Sequence, residues 1–277
     1  MSAFTLERDG VLISGEEVGE GQAIVLLHGL TATRRYVVMG SRALERAGMR
    51  VISYDARGHG RSAPARARGE YGYEHLAGDL HALLEHAGVS RAILAGASMG
   101  AHTAVRYALE HPERVAALAL ITPAFEPERG AGEGAFDHWD ELARALREEG
   151  VEGFVRAYEL DALPERWRAT VQTVLRQRMG AHEHPGAVAD ALEAVPRSRP
   201  FGDMHELAAI GVPAVVVASR DEADPEHPLA VGERYARAIA GARLVVEPEE
   251  DPPRSPIAWQ GGQLSAVLLE LASHVRT

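Results

Sequence analysis

An apolar run, Ala92-Ile93-Leu94-Ala95, leads without interruption into Gly96-Ala97-Ser98-Met99-Gly100, and the residues beyond it carry a helical pattern. A strand that turns into a helix within one residue forces the residue at the turn into strained backbone angles. Side chains two positions before and after that residue would collide with the neighbouring elements, so glycine is favoured at Gly96 and Gly100. The outcome is a serine hydroxyl raised above a sheet edge, at the amino end of a helix that favours developing negative charge. A chain built around this turn needs a buried strand before it and a packed helix after it.

The rest of the sequence supplies that setting. Ala23 to Leu27 is continuously apolar, as expected of a strand buried on both faces. Arg50 to Tyr54, Val115 to Ile121, Pro213 to Ser219 and Ala242 to Glu247 read as further strands. Helical patterns run from Tyr36 to Ala47, over 72–87, from Met99 to about His111, from Leu229 to Ala240 and from Gly262 to Val275. Strand and helix in alternation predict an α/β fold with a mostly parallel, doubly wound sheet. Residues 3–20, with turn signals at Asp9-Gly10 and Gly19-Glu20-Gly21, predict an antiparallel ribbon at its edge. Ligands then sit beyond the carboxyl ends of the strands, where His28, Asp55 and Ser98 fall. The rhythm breaks at Phe125. From there to Leu207 the pattern is helical, with helices expected at 141–149, 151–160, 165–179 and 187–195. This divides the chain into a core of 1–124 and 208–277 and an inserted helical cap of 125–207.

Composition narrows the chemistry. The chain has no cysteine, no lysine and no asparagine, and all 29 basic residues are arginine. Thiolate nucleophiles, disulfides, Schiff bases and a phosphate-loop lysine are excluded. A net charge of −11 without a basic cluster offers no footprint for nucleic acid or an anionic membrane. No run of apolar residues is long enough for a membrane span, and the polar start carries no signal peptide. These features fit a cytoplasmic chain acting on a small molecule without a cofactor. His182-Glu183-His184 is a poor metal clip, since residues two apart do not share a helix face.

Three motifs stand in order: Leu27-His28-Gly29-Leu30, Asp55-Ala56-Arg57-Gly58-His59-Gly60-Arg61-Ser62, and Gly96-Ala97-Ser98-Met99-Gly100. Together they resemble the α/β-hydrolase superfamily, in its capped, esterase-like branch, over nearly the whole chain. The resemblance implies that Ser98 is a nucleophile and that the backbone N–H groups of Leu30 and Met99 form an oxyanion hole. Each such donor contributes about 3 kcal/mol to transition-state stabilisation. His28 and His59 are then loop-shaping residues. The acid is implied in the loop after the strand at 214–219, where Asp224-Pro225 followed by Pro228 fits the family spacing and Asp221 lies closer to the strand end.

The sequence departs from the family at the base. A histidine is implied after the last strand, yet none follows Val246 until His274, near the end of the closing helix. Without an imidazole between acid and serine the hydroxyl is a weak nucleophile. The substitutes on offer are His227, His138 and His102, whose ordinary state is core or surface histidine, and the carboxylates Glu249, Glu250 and Asp251. Trp259 could fill the space of the absent ring. The cap aromatics Phe125, Phe136, Trp139, Phe154, Tyr158 and Trp167 suit either a cap core or the wall of an apolar pocket. The expectation is a serine-dependent hydrolase of a small, apolar carboxylic ester, thioester or lactone, with Ser98 and Asp224 in its site. A lyase or cyclase on the same scaffold and a silent ligand-binding protein are the alternatives.

Overall fold

The computed structural model describes residues 2–128, 132, 134–248 and 261–275. Its centre is one eight-stranded sheet: β1 (Ser2–Arg8), β2 (Val11–Val18), β3 (Ala23–Leu27), β4 (Arg50–Tyr54), β5 (Ala92–Ala97), β6 (Val115–Ile121), β7 (Ala214–Ala218) and β8 (Arg243–Val246), in the order β1-β2-β4-β3-β5-β6-β7-β8. β1 and β2 form the antiparallel ribbon, β2 pairs antiparallel with β4, and every later pairing is parallel. The wholly apolar strands β3, β6 and β7 are buried along their full length, as the continuous runs in their sequences require. The fold class is the α/β, mostly parallel, doubly wound sheet.

Helices cover both faces. The first is the short α1 (Ala43–Arg46), followed by α2 (Tyr73–His86) and α3 (Met99–Glu110). The helix expected from Tyr36 to Ala47 is cut down to α1 because Met39 and Gly40 both adopt positive φ, 48° and 73°, which no α-helix accommodates. The side chains of Arg57 and Asp79 lock α2 to the end of β4: Nε and Nη2 of the arginine donate to the two carboxylate oxygens at 2.7 and 2.6 Å, with both side chains fully buried. Asp55 accepts from the backbone N–H groups of Arg34 and Arg61 at 2.9 and 3.1 Å, and Ser62 Oγ donates to the Asp55 carbonyl at 2.6 Å. The Asp55–Ser62 motif thus shapes the loops beside the site.

Between β6 and β7 lie three helices, α4 (Asp137–Ala157), α5 (Glu165–Met179) and α6 (Pro185–Ala194), with their own apolar cluster built on Leu142, Leu146, Phe154, Leu175, Met179, Val188 and Leu192. The two helices expected at 141–149 and 151–160 are one kinked element, whose break falls at Gly150 (φ 66°, ψ −154°). The chain returns to the sheet through β7, α7 (Leu229–Ala238), β8 and the closing helix α8 (Gly261–Ser273). Among the described residues no helix is long and apolar enough to cross a membrane.

The turn at Ser98 rests on two close approaches. A Cβ on Gly96 would lie 2.2 Å from the Gly100 carbonyl oxygen, and one on Gly100 would lie 2.1 Å from the Leu27 carbonyl oxygen. Both obstacles are backbone, which has little room to retreat. Gly100→Ala is therefore expected to destabilise the fold by about 3 kcal/mol, the upper end for overpacking. Thermal or denaturant unfolding checks this, and an unchanged midpoint would contradict the close approach.

Candidate active site

Ser98 sits between the end of β5 and the start of α3 with φ 48° and ψ −113°, a strained backbone for a residue with a side chain. Its N–H donates to the Ile121 carbonyl at 2.9 Å, which ties the turn to the end of β6. As the first residue of α3, Met99 has an N–H without an intrahelical acceptor. Across from it, Gly29-Leu30-Thr31 turns sharply after β3: Ala32 N–H donates to the Gly29 carbonyl at 3.0 Å, and Thr31 stands at φ 68°. His28 fixes this loop by donating from Nδ1 to the Gly29 carbonyl at 2.8 Å and accepting at Nε2 from the Ala56 N–H at 2.8 Å. Burial lowers the His28 pKa to about 3, so the ring remains neutral in both roles.

The loop after β7 reaches over the end of the sheet to Ser98. It makes two successive tight turns, Asp224 N–H donating to the Asp221 carbonyl at 3.1 Å and His227 N–H to the Asp224 carbonyl at 3.3 Å. The second turn brings the side chains of Asp224 and His227 together, with 2.7 Å between Oδ1 and Nδ1. On its other side His227 Nε2 lies 2.8 Å from Ser98 Oγ. A carboxylate only accepts, so Nδ1 carries the proton and Nε2 is free to accept from the serine hydroxyl. Ser98, His227 and Asp224 form a continuous hydrogen-bonded chain. Asp221, nearer the strand end, instead accepts from the Ala223 N–H at 2.9 Å and shapes the turn.

The environment tunes this pair. Burial opposes a charge on His227, whose side chain is 19% exposed, but the negative charge of Asp224 and its hydrogen bond outweigh it, and the imidazole pKa is raised above 6.5. Burial likewise opposes ionisation of Asp224, and the charge and hydrogen bond of His227, aided by Arg178, outweigh it and hold the carboxyl below its ordinary value.

The other histidines are engaged elsewhere. His102 Nδ1 pairs with Tyr73 Oη at 2.9 Å, and Nε2 accepts from the Ala124 and Phe125 N–H groups at 2.9 and 3.0 Å. His138 lies at the cavity wall, with Nδ1 3.9 Å from Glu159. His274 bonds the Glu270 carbonyl within its own helix. Glu249, Glu250, Asp251 and Trp259 lie outside the described residues.

Ser98 and His227 open into a cavity of about 750 Å³, walled by Leu30, Phe125, Phe136, Trp139, Phe154 and Tyr158 among others. Five of the seven aromatics of the inserted segment line it, and Trp167 and Phe201 do not. Reading the sequence did not single out Arg178, one arginine among many. Its Nη2 donates to Thr31 Oγ1 at 2.9 Å and to the Leu30 carbonyl at 3.3 Å, while its buried Nε has no partner. Arg178 lines the cavity and forms no ion pair among the described residues. Neither did the spacing of His182 reveal its part: it accepts at Nδ1 from the Gly60 N–H at 2.8 Å and donates from Nε2 to the Thr31 carbonyl at 3.0 Å.

Comparison with known proteins bears on the family and the fold. Residues 22–250 match the family described as the alpha/beta hydrolase fold. The chain is 31% identical over 267 residues to 2-hydroxy-6-oxononadienedioate/2-hydroxy-6-oxononatrienedioate hydrolase 2 of Pseudomonas putida, covering 88% of this chain and 87% of that one. Its structure is similar to that of a thermophilic esterase from Thermogutta terrifontis, with a TM-score of 0.78, 26% identity and all of both chains covered. It is also similar to the enol-lactonase of Burkholderia xenovorans LB400, with a TM-score of 0.73 and 25% identity, covering 98% of this chain and 100% of that one.

Proposed function

The chain belongs to the α/β-hydrolase fold family and is an enzyme of hydrolase type, and from that premise we propose that it hydrolyses a small carboxylic ester, thioester or lactone through Ser98. The observation that carries this reading is the unbroken hydrogen-bonded chain from Asp224 through His227 to Ser98 Oγ. His227 takes the hydroxyl proton as Ser98 attacks the carbonyl carbon, then gives it to the leaving alcohol or thiol. Asp224 holds the ring in the tautomer that leaves Nε2 open and stabilises the imidazolium that forms. The N–H groups of Leu30 and Met99 receive the oxyanion. Water, deprotonated by the same imidazole, then frees the acyl group. The helical segment 125–207 acts as the cap that roofs the cavity and excludes bulk solvent.

A substrate that also carries a free carboxylate is favoured by Arg178. A guanidinium that forms no ion pair among the described residues, with an unpartnered buried Nε, is a costly group in a mostly apolar cavity, and a carboxylate matches its planar donor fork. The Pseudomonas putida relative is named for a dienedioate, a dicarboxylate.

One panel tests both statements. The chain is offered an aryl butyrate and the aryl hemisuccinate of equal length, and a fluorophosphonate label is located by mass spectrometry. Hydrolysis of both esters and labelling of Ser98 are expected. The hemisuccinate is expected to be preferred by about 10- to 100-fold in kcat/KM, the worth of one charge-assisted interaction, and Arg178→Gln to remove that preference. Absence of hydrolysis and of label defeats the Ser98 reading, and equal rates on the two esters defeat the carboxylate.

A further inference from the structure

We propose that α5 is a strut that sets the distance between the two halves of the reaction centre, with His182 and Glu222 as positioning residues at its two ends. The inference rests on the Ser98 reading above. The acid–base pair sits on the loop after β7 and the oxyanion donor Leu30 on the loop after β3, with β5 and β6 between those strands. Neither loop contacts the other through a hydrogen bond among the described residues. Both are held by one helix.

At the amino end of α5, Trp167 Nε1 donates to Glu222 Oε1 at 2.7 Å, and Arg166 pairs with the same carboxylate. Glu222 lies in the first of the two turns, which ends at Asp224 and runs directly into the turn that joins Asp224 to His227. At the carboxyl end the chain leaves α5 in continued turns, with Ala181 N–H donating to the Arg178 carbonyl at 3.2 Å, and delivers His182 to the opposite loop. His182 is buried, 7% exposed, and spans two backbones: it accepts from the Gly60 N–H and donates to the Thr31 carbonyl. Glu183 N–H adds a bond to the Gly60 carbonyl at 2.9 Å. Thr31 needs such support, because its positive φ persists only where its surroundings over-determine it. Fifteen residues of helix make a rod of about 22 Å, stiffer than either loop it joins. The inserted segment thereby becomes part of the catalytic frame as well as a roof.

A double-mutant cycle on the full chain with an aryl ester tests the strut, using His182→Ala, Glu222→Ala and the pair. Each single variant is expected to lose about tenfold or more in kcat, as small displacements of reacting groups do, with KM held within about threefold. The acid limb of the pH profile is expected to stay in place in both, because Asp224 and His227 share one turn and move together. His182→Gln is expected to recover most of kcat, since an amide both accepts and donates. The pair is expected to lose less than the product of the single losses, by about threefold or more, because a rod loosened at one end transmits less constraint from the other, although Arg178 and the Glu183 N–H still tie that end to the Leu30, Thr31 and Gly60 backbone region in every variant. Unchanged kcat in either single variant, a rise in KM alone, or strictly multiplicative losses overturn the strut. His182→Asn, whose shorter amide reaches one of the two partners, replaces the alanine variant if melting shows that the latter does not fold. A wild-type chain without Ser98-dependent turnover defeats the Ser98 reading instead, and is told apart by Ser98→Ala.

Discussion

His227→Ala is expected to lower kcat/KM for an aryl ester by about 10⁴-fold or more, with residual turnover from the oxyanion hole and binding alone. The size follows from what the ring does at 2.8 Å from the serine oxygen. In the proposed mechanism it accepts the proton on attack and returns it to the leaving group, so both halves of the cycle are expected to stall without it. The pH profile carries the same signature. The reacting form is the neutral imidazole, and Asp224 raises its pKa above 6.5, so kcat/KM is expected to fall as pH drops through a value above 6.5. Asp224→Asn removes the charge and the carboxylate hydrogen bond that raise it. The acid limb is then expected to move to lower pH, while kcat falls by about 10⁴-fold because the asparagine amide favours the wrong tautomer. An acid limb that stays in place in Asp224→Asn would assign the titration to another group.

Replacing Ser98 is expected to have a still larger catalytic effect, and an effect on stability that depends on the residue put in its place. Ser98→Ala removes the nucleophile and lowers kcat by about 10⁶-fold, while the backbone strain at φ 48° remains. Ser98→Gly removes the nucleophile and the strain together. Relief of about 1–3 kcal/mol, less the extra freedom that glycine gives the unfolded chain, leaves a net gain of about 1 kcal/mol. For a chain of 277 residues that gain is a rise in Tm of roughly 2 °C. Calorimetry of the two inactive variants side by side checks this. A Gly variant no more stable than the Ala variant would mean that the turn stores no strain.

The extent to which the sequence announced this site differs from residue to residue. The strand runs and the Gly96–Gly100 turn were legible because their constraints are local: a backbone that reverses against a neighbouring carbonyl admits only glycine, whatever surrounds it. Tyr36 to Ala47 was misread because its apolar spacing is helical, whereas Met39 and Gly40 leave helical angles to pass the amino end of α8; a Cβ on Gly261 would lie 1.9 Å from the Val38 carbonyl oxygen. Residues 141–160 were divided at Gly150, which the helix crosses with a kink.

The partner of Ser98 was the hardest to read. The family places its histidine after the last strand, three strands from β5, and here that segment has none. The loop after β7 lies two strands from β5, about 9.6 Å at the usual strand spacing, which a ten-residue loop crosses easily. The signal that was available is the i, i+3 spacing of Asp224 and His227 in a Pro-containing turn, since such turns bring their first and fourth residues together. Arg178 and His182 gave no local signal. Their partners lie about 150 positions away, at Leu30 and Thr31 (|i−j| of 148 and 151), and only the packing of α5 brings them there.

The most direct measurement is the rate at which a fluorophosphonate modifies Ser98 in the wild-type chain and in His227→Ala, read by intact and peptide mass at a pH above the acid limb. Phosphonylation demands an activated hydroxyl and nothing of the natural substrate. Rapid labelling of Ser98 in the wild type and a loss of about 10³-fold or more in His227→Ala is the expected result. Equal rates in the two proteins, or a label on a residue other than Ser98, would contradict the assignment of His227 as the base.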